Sequence, residues 1–457
     1  MSNKIKKYVE VLILVYIIAL FSRGFPSISN IYYLTVPILF LFFLDYFKLI
    51  SNSVLSKAEV IQQPKATFFF FLSFGIWSLT TALWSSDWQI TVTRSLFFLF
   101  LLISCFRMGE LLNKKKVSKG LILLLVIPNL LIILPNIISF IFNYPAKELF
   151  GYKYFGFMGF TNHPNKLGQY ILLTFPIAIM GVEVLRRKKK LNIKLVEDEG
   201  KHGGMKARMH EKNECMSSWR YGSLAVFNHS IIQSFNLLSF GYLILVVCNL
   251  VLLYSSHSRA AIISLGLIFV LYLLFTKSFK KIAIWGSILF SIIAVLYISV
   301  NPIRESINTH LLKQETNFLD NRRYLIEASW EAALEGGFFG IGYGISSEKY
   351  VSNDYGDFKS EHFTREKTVS ILALAEETGI IGLTLFLLGV VLLFFTIWKH
   401  RDSRIVLLFG IYILVLQVYA QIESWWIGIG AAPLPVFFIF CGYITAMSSR
   451  AKSKESI

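Results

Sequence analysis

The sequence predicts an all-α, polytopic integral membrane protein: about 12 transmembrane helices and a long, partly helical outer loop. Two observations carry this. The chain is 55% hydrophobic with a mean hydropathy of +0.58, more apolar surface than a soluble chain of 457 residues could hide. Its connectors also alternate between strongly basic and weakly basic, as they do when a chain crosses a bilayer repeatedly.

Apolar runs long enough to cross the hydrocarbon core fall near residues 8–22, 31–47, 67–84, 90–106, 120–141, 166–185, 237–256, 260–276, 282–300, 369–397, 405–422 and 425–447. The first follows Lys4, Lys6 and Lys7 and runs on as a span, without a small-residue cleavage site. Alternate connectors carry Lys114–Lys116, Arg186–Lys190, Lys280/Lys281, Lys399/Arg401/Arg404 and Arg450/Lys452/Lys454. With the N-terminal lysines, that set holds 31 of the 45 Lys+Arg; the other set holds 14, eight of them in one long loop. The asymmetry predicts a bacterial cytoplasmic-membrane protein with both termini in the cytoplasm. The formal charge of +17 therefore reports orientation, and no nucleic-acid partner is implied. Cys105, Cys215, Cys248 and Cys441 are scattered, and form neither a disulfide framework nor a metal spacing.

Residues 1–457 read as a single membrane domain with two long loops. Residues 186–236 form a basic cytoplasmic loop suited to anionic headgroups. Residues 301–368 form an extracytoplasmic loop that is expected to carry part of an active site. In it, Asp320 can cap a helix through Tyr324, Leu325, Ala328, Ala332 and Leu334. The turn Gly336-Gly337-Phe338-Phe339-Gly340-Ile341-Gly342-Tyr343-Gly344 then ends that helix and permits close backbone approach, so the loop is expected to pack on the membrane domain.

Ionisable residues are sparse inside the spans; Glu10, Arg94 and Glu183 lie near ends, where they can snorkel. Ion-coupled transport usually keeps carboxylates nearer the midplane. Polar residues gather instead at four outer places. Gly159–Lys166 includes Asn162, His163 and Asn165 before the sixth span, and a helix cap would also explain it. Ser255-Ser256-His257-Ser258-Arg259 joins two spans, and an arginine there must snorkel or find an anion. Arg322 and Arg323 open the loop helix, where cations oppose the dipole; they are either solvated or facing a bound anion. Glu361, His362, Arg365, Glu366 and Lys367 precede the run Leu372–Leu383, which contains Glu376-Glu377-Thr378-Gly379; a headgroup anchor would explain this group equally.

The order of these four places, over about residues 150–400, resembles the O-antigen ligase/polymerase family of bacterial envelope glycosyltransferases. The shared features are the Asn-rich turn before a span, the Ser-Arg turn, and an outer loop with an arginine, Trp330 and a glycine turn. A span beginning "LAxxEETGIIGL" completes the pattern. Ligases of the family show a histidine about nine residues before the glutamate of "ETG"; here that position is Thr368. Glu366-Lys367 instead resembles an "EK" variant of exopolysaccharide type.

The resemblance implies a polyprenyl-pyrophosphate-linked glycan donor, a glycan acceptor, and reaction at the outer face. The lipid pyrophosphate is a good leaving group, so catalysis chiefly needs charge stabilisation. Guanidinium forks can supply that without a metal, and no Asp-x-Asp occurs on the outer side. The expectation is a metal-independent, cofactor-free inverting polymerase. Arg259, Arg322, Arg323 and Lys367 would hold the pyrophosphate, with Glu366 as base ahead of Glu361 and His362. Asn162, His163, Asn165, His257 and Glu377 are further substrate-site candidates. The product would be a capsule, exopolysaccharide or teichuronic-acid-like polymer, with a flippase and a chain-length regulator as possible partners. A ligase handing finished glycan to another acceptor, and a flippase for such lipids, are the alternatives.

Overall fold

The computed structural model describes residues 3–23, 25–55, 66–114, 120–142, 157, 159–161, 165–175, 178, 244–275, 320–347, 367, 369–401, 404–428 and 431–455, and every regular element among them is helical. In chain order these are α1 (Asn3–Ser22), a 3-10 segment (Pro26–Leu34), α2 (Thr35–Leu55), α3 (Ala66–Thr80) and α4 (Trp88–Lys114). Then come α5 (Gly120–Ile141), α6 (165–175), α7 (Ile244–Ser255), α8 (Arg259–Phe275), α9 (Asp320–Gly336), α10 (Ser370–Lys399), α11 (Arg404–Ala420) and α12 (Pro433–Glu455).

Four helical stretches are long and apolar enough to cross a membrane: Ile28–Phe47, Ala66–Leu83, Trp88–Leu112 and Ser370–Lys399. Shorter apolar helices fall at the expected spans 8–22, 120–141, 237–256, 260–276, 405–422 and 425–447; the span 166–185 is described mainly over its first half, and the expected span 282–300 and the basic loop 186–236 lie outside the described residues. Two boundaries differ from expectation. The run at 425–447 does not enter as one helix, because α12 begins at Pro433. Proline suits the first turn of a helix, where its missing N–H is not needed. Trp425 and Trp426 instead sit in the preceding turn, both about 2% exposed. The fourth helix runs on to Lys114, well beyond residue 106.

Side-chain shape holds this bundle, since lipid offers no hydrophobic drive for one apolar helix to seek another. α4 packs along α12, α2 and α3, and α10 packs along α3 and α9. At the α4–α12 crossing, a Cβ on Gly109 would run into the Ile439 carbonyl and one on Gly442 into the Phe106 carbonyl. Only hydrogen side chains allow the two backbones to touch. Nearby, Phe71 meets Phe386 edge-on at 5.3 Å and Phe74 meets Phe98 at 5.1 Å, geometry that aromatic quadrupoles favour.

Two groups of polar residues buried between helices are paired across them. Asn129 on α5 donates to Thr174 Oγ1 (2.9 Å) and exchanges 3.1 Å hydrogen bonds with Asn249 on α7. Arg107 on α4, 3% exposed, donates to Asp45 on α2 at 2.8 Å and to Glu110 at 3.2 Å. Its charge is thereby matched at the helix end remote from the glycine turn.

Candidate active site

The glycine turn and α10 are interleaved. Gly379 adopts φ 67°, ψ −175°, a conformation open essentially to glycine alone, and interrupts α10. In an unbroken helix the amides of Ile380 and Ile381 would donate to the carbonyls four residues earlier, Glu376 and Glu377. Here they donate to the carbonyls of Gly337 (3.0 Å) and Phe338 (3.3 Å). The released carbonyls of Glu376 and Glu377 accept from Ile341 (3.0 Å) and Gly342 (3.1 Å). Two helical hydrogen bonds are thus replaced by four between turn and helix. Trp77 on α3 takes the Thr378 carbonyl at 2.8 Å, and Trp84 takes that of Gly340 at 2.8 Å. The approach leaves no room for a side chain: a Cβ at Gly340 would strike the Glu377 carbonyl, and one at Gly379 the Phe338 carbonyl.

The glutamate side chains extend the same junction. Glu377, 1% exposed, accepts from the Gly344 amide through Oε2 (2.7 Å) and from Lys367 Nζ through Oε1 (2.6 Å). Glu376, fully buried, accepts from the Ser347 amide through Oε1 (2.9 Å), and its Oε2 lies 3.3 Å from Lys367 Nζ. The ammonium also donates to the Ile345 carbonyl at 2.8 Å. Ser347 Oγ reaches Glu335 at the end of α9 at 2.7 Å, and Arg94 donates to the Gly344 carbonyl at 3.1 Å. Arg94 thus does more than snorkel. Tyr343, fully buried beside Glu377, is held protonated: burial first, then that carboxylate, push its phenol well above the usual range against the opposing pull of Arg94.

A second group lies around Arg259. A Cβ on Gly168 of α6 would meet Ser258, so the 255–259 turn sits directly against the start of α6. The Phe157 amide donates to the Ser255 carbonyl at 2.7 Å. His257 occupies φ 52°, unusual for a residue with a side chain, and half-buried Arg259 opens α8. Asn165 is the first residue of α6, next to Lys166. Lys166 in turn feels the charges of Glu423 and Arg23.

The turn after α11 joins the two groups, and the sequence reading did not single it out. Gln421 accepts from the Ile371 amide at 3.2 Å and the Trp426 amide donates to Ser370 Oγ at 3.4 Å, so residues 421–426 are tied to the start of α10. On the other side Tyr412 of α11 donates to the Leu173 carbonyl of α6 at 2.9 Å and Glu423 acts on Lys166, so Asn165 and the 255–259 turn beside α6 lie at the same end of the bundle as Lys367, Glu377 and the glycine turn.

Two expected ligands are committed elsewhere. Lys367 donates to the Ile345 carbonyl and Glu377 and is ion-paired with Glu376 as well, and the Glu377 carboxylate is divided between that ammonium and a backbone amide. Of the positions through which the loop helix was expected to run, Ala332 is buried while Leu334 is 67% exposed. Arg322 and Arg323 fall in the first turn of α9, but their side chains lie outside the described ones, as do residues Asn162, His163, Glu361, His362 and Glu366. No cluster of three or more metal-type ligands occurs among the described residues.

Comparison with known proteins gives one family. Residues 244–387 match the family model described as O-Antigen ligase, a stretch from the start of α7 into the second half of α10. It contains the Ser-Arg turn, α9, the glycine turn and the interrupted helix. No curated protein matches the chain.

Proposed function

We propose that the chain is a membrane glycosyltransferase that polymerises polyprenyl-pyrophosphate-linked repeat units into a cell-surface polysaccharide, a reading supported by the match of residues 244–387 to the family model described as O-Antigen ligase. The observation that carries this reading is the convergence of the Arg259 turn, α9 and the interrupted α10 at one end of the bundle. By the distribution of lysine and arginine, that end is the outer face.

Arg259 stands at the amino terminus of α8, where helix dipole and guanidinium both favour an anion. With Arg322 or Arg323 of α9 it would take the pyrophosphate bidentately. An acceptor hydroxyl then attacks the anomeric carbon as the glycosyl–phosphate bond breaks. The hydroxyl proton passes to Glu366, the bonding pair leaves on the lipid pyrophosphate, and configuration inverts in one displacement. Glu361 and His362 are the other base candidates, and Asn162, His163, Asn165 and His257 would line the sugar site. Charge neutralisation by arginine makes the reaction independent of a divalent metal; strict Mg²⁺ or Mn²⁺ dependence of the purified protein would refute this.

Arg259→Ala should abolish chain extension while membrane insertion persists; retained polymer would remove arginine from the mechanism. A cysteine at Phe338, which is 67% exposed, should react with an impermeant maleimide added outside intact cells. Labelling only after permeabilisation would invert the topology. Disruption of the gene separates the competing readings. Single repeat units accumulating outside indicate a polymerase, lipid-linked full polymer a ligase, and units trapped inside a flippase. Thr368 at the ligase histidine position favours the first.

A further inference from the structure

We infer that Lys367 is a positioning residue for glycosyl transfer, clasped between Glu376 and Glu377 so that the chain entering α10, the glycine turn and the interrupted helix hold one register. The inference rests on the reading just given, in which Glu366 is the base and α9 carries donor-binding arginines.

An ammonium has three protons to donate. At Lys367 two of them go to Glu377 Oε1 and the Ile345 carbonyl, Glu376 Oε2 pairs with the ammonium at 3.3 Å, and the side chain is 4% exposed. A phosphate oxygen could bind only by displacing one of these, which would leave a carboxylate buried without its counter-charge. The clasp spans three pieces of chain. Glu376 and Glu377 sit directly before the break in α10, and their remaining oxygens hold the Ser347 and Gly344 amides. Ile345, between those residues, supplies the carbonyl. Ser347 carries the connection to Glu335, and so to the helix that begins with Asp320, Arg322 and Arg323. On the other side of Lys367 the next residue is Glu366. One buried ion cluster is therefore linked to the C-terminal end of the arginine helix and includes the residue next to the base candidate in the chain. Arg94 holds the carbonyl of Gly344, whose amide donates to Glu377.

A positioning role and a phosphate-binding role divide cleanly in steady-state kinetics. The substrate is lipid-linked glycan extracted from cells in which the gene is disrupted, and the enzyme is the full chain in lipid nanodiscs. Lys367→Met and Glu377→Gln should each lower kcat about 100-fold, the scale of a reacting group displaced by roughly an ångström. Donor KM should stay within about twofold. Lys367→Arg, which keeps a cation between the carboxylates, should regain part of the rate. A triple variant, Lys367→Met with Glu376→Gln and Glu377→Gln, removes every buried charge of the clasp; it should recover the melting temperature without recovering kcat. A raised donor KM in Lys367→Met beside normal kinetics in Glu377→Gln would overturn the inference in favour of direct phosphate contact. Rates that simply follow melting temperature across the series would overturn it too. Wild-type protein inert on this lipid would refute the proposed function itself, separately from any difference among variants.

Discussion

Replacing Gly379 by alanine sets two energies against each other. In the native backbone, alanine at φ 67°, ψ −175° costs about 1–3 kcal/mol in strain alone. Its Cβ would also press on the Phe338 carbonyl and the Phe339 amide. The alternative is for α10 to straighten. Alanine gains about 1 kcal/mol over glycine in a helix, and Ile380 and Ile381 recover the carbonyls of Glu376 and Glu377. Straightening gives up four turn–helix hydrogen bonds for two helical ones, a net loss of about 2 kcal/mol at about 1 kcal/mol each. It also strips the Gly344 and Ser347 amides from buried carboxylates, at about 1–3 kcal/mol for each group left unsatisfied. Straightening therefore costs about 3–7 kcal/mol, keeping the break costs about 1–3 kcal/mol and the clash on top, and the turn is expected to lose about 3–4 kcal/mol. By amide hydrogen exchange in nanodiscs, Ile341, Gly342 and Gly344 should lose two to three orders of magnitude in protection, at about 1.4 kcal/mol per decade. The route is readable as well, because Ile380 and Ile381 stay protected only if the helix closes. Wild-type protection at Gly342 and Gly344 in Gly379→Ala would refute the argument that the break and the turn hold each other.

Trp77→Phe and Trp84→Phe each delete one indole hydrogen bond to this junction while keeping an aromatic ring. Each should cost about 1 kcal/mol of turn stability by exchange, and the double variant should deviate from additivity because both grip the same backbone. Asn129→Leu removes the link among α5, α6 and α7; it should lower the melting temperature through a loss of about 1–2 kcal/mol while leaving turn protection unchanged.

What the sequence could and could not announce follows from where each constraint lies. Five glycines in nine residues declared a close approach, and the turn makes one. The surface approached was hidden, because Ser370–Lys399 has the hydropathy of an unbroken span and its interruption is enforced by hydrogen bonds from residues some forty positions earlier. Glu377 entered the sequence reading only through the family pattern, as a substrate-site candidate, and the lysine that neutralises it was read as a pyrophosphate ligand. No local pattern links positions 367 and 377. Arg107 escaped notice because it lies just beyond the apolar core of the fourth span, and only the structure brings Asp45 beside it. Trp425 and Trp426 were absorbed into a span by hydropathy, which cannot distinguish an aromatic turn from a helix. Pro433 and the glycines at 428 and 430 were the available signal.

The shared ladder at Gly379 also bears on how the chain matures. Alone, α10 can close its own hydrogen bonds as a continuous rod, since an interior glycine costs only about 1 kcal/mol. The bend therefore depends on the backbone partners that the preceding loop supplies. Until that loop docks, the carboxylates of Glu376 and Glu377 lack their partners in the turn. Their ionisation in lipid would oppose bilayer insertion, so docking of the loop is the step that makes this span compatible with its own charges.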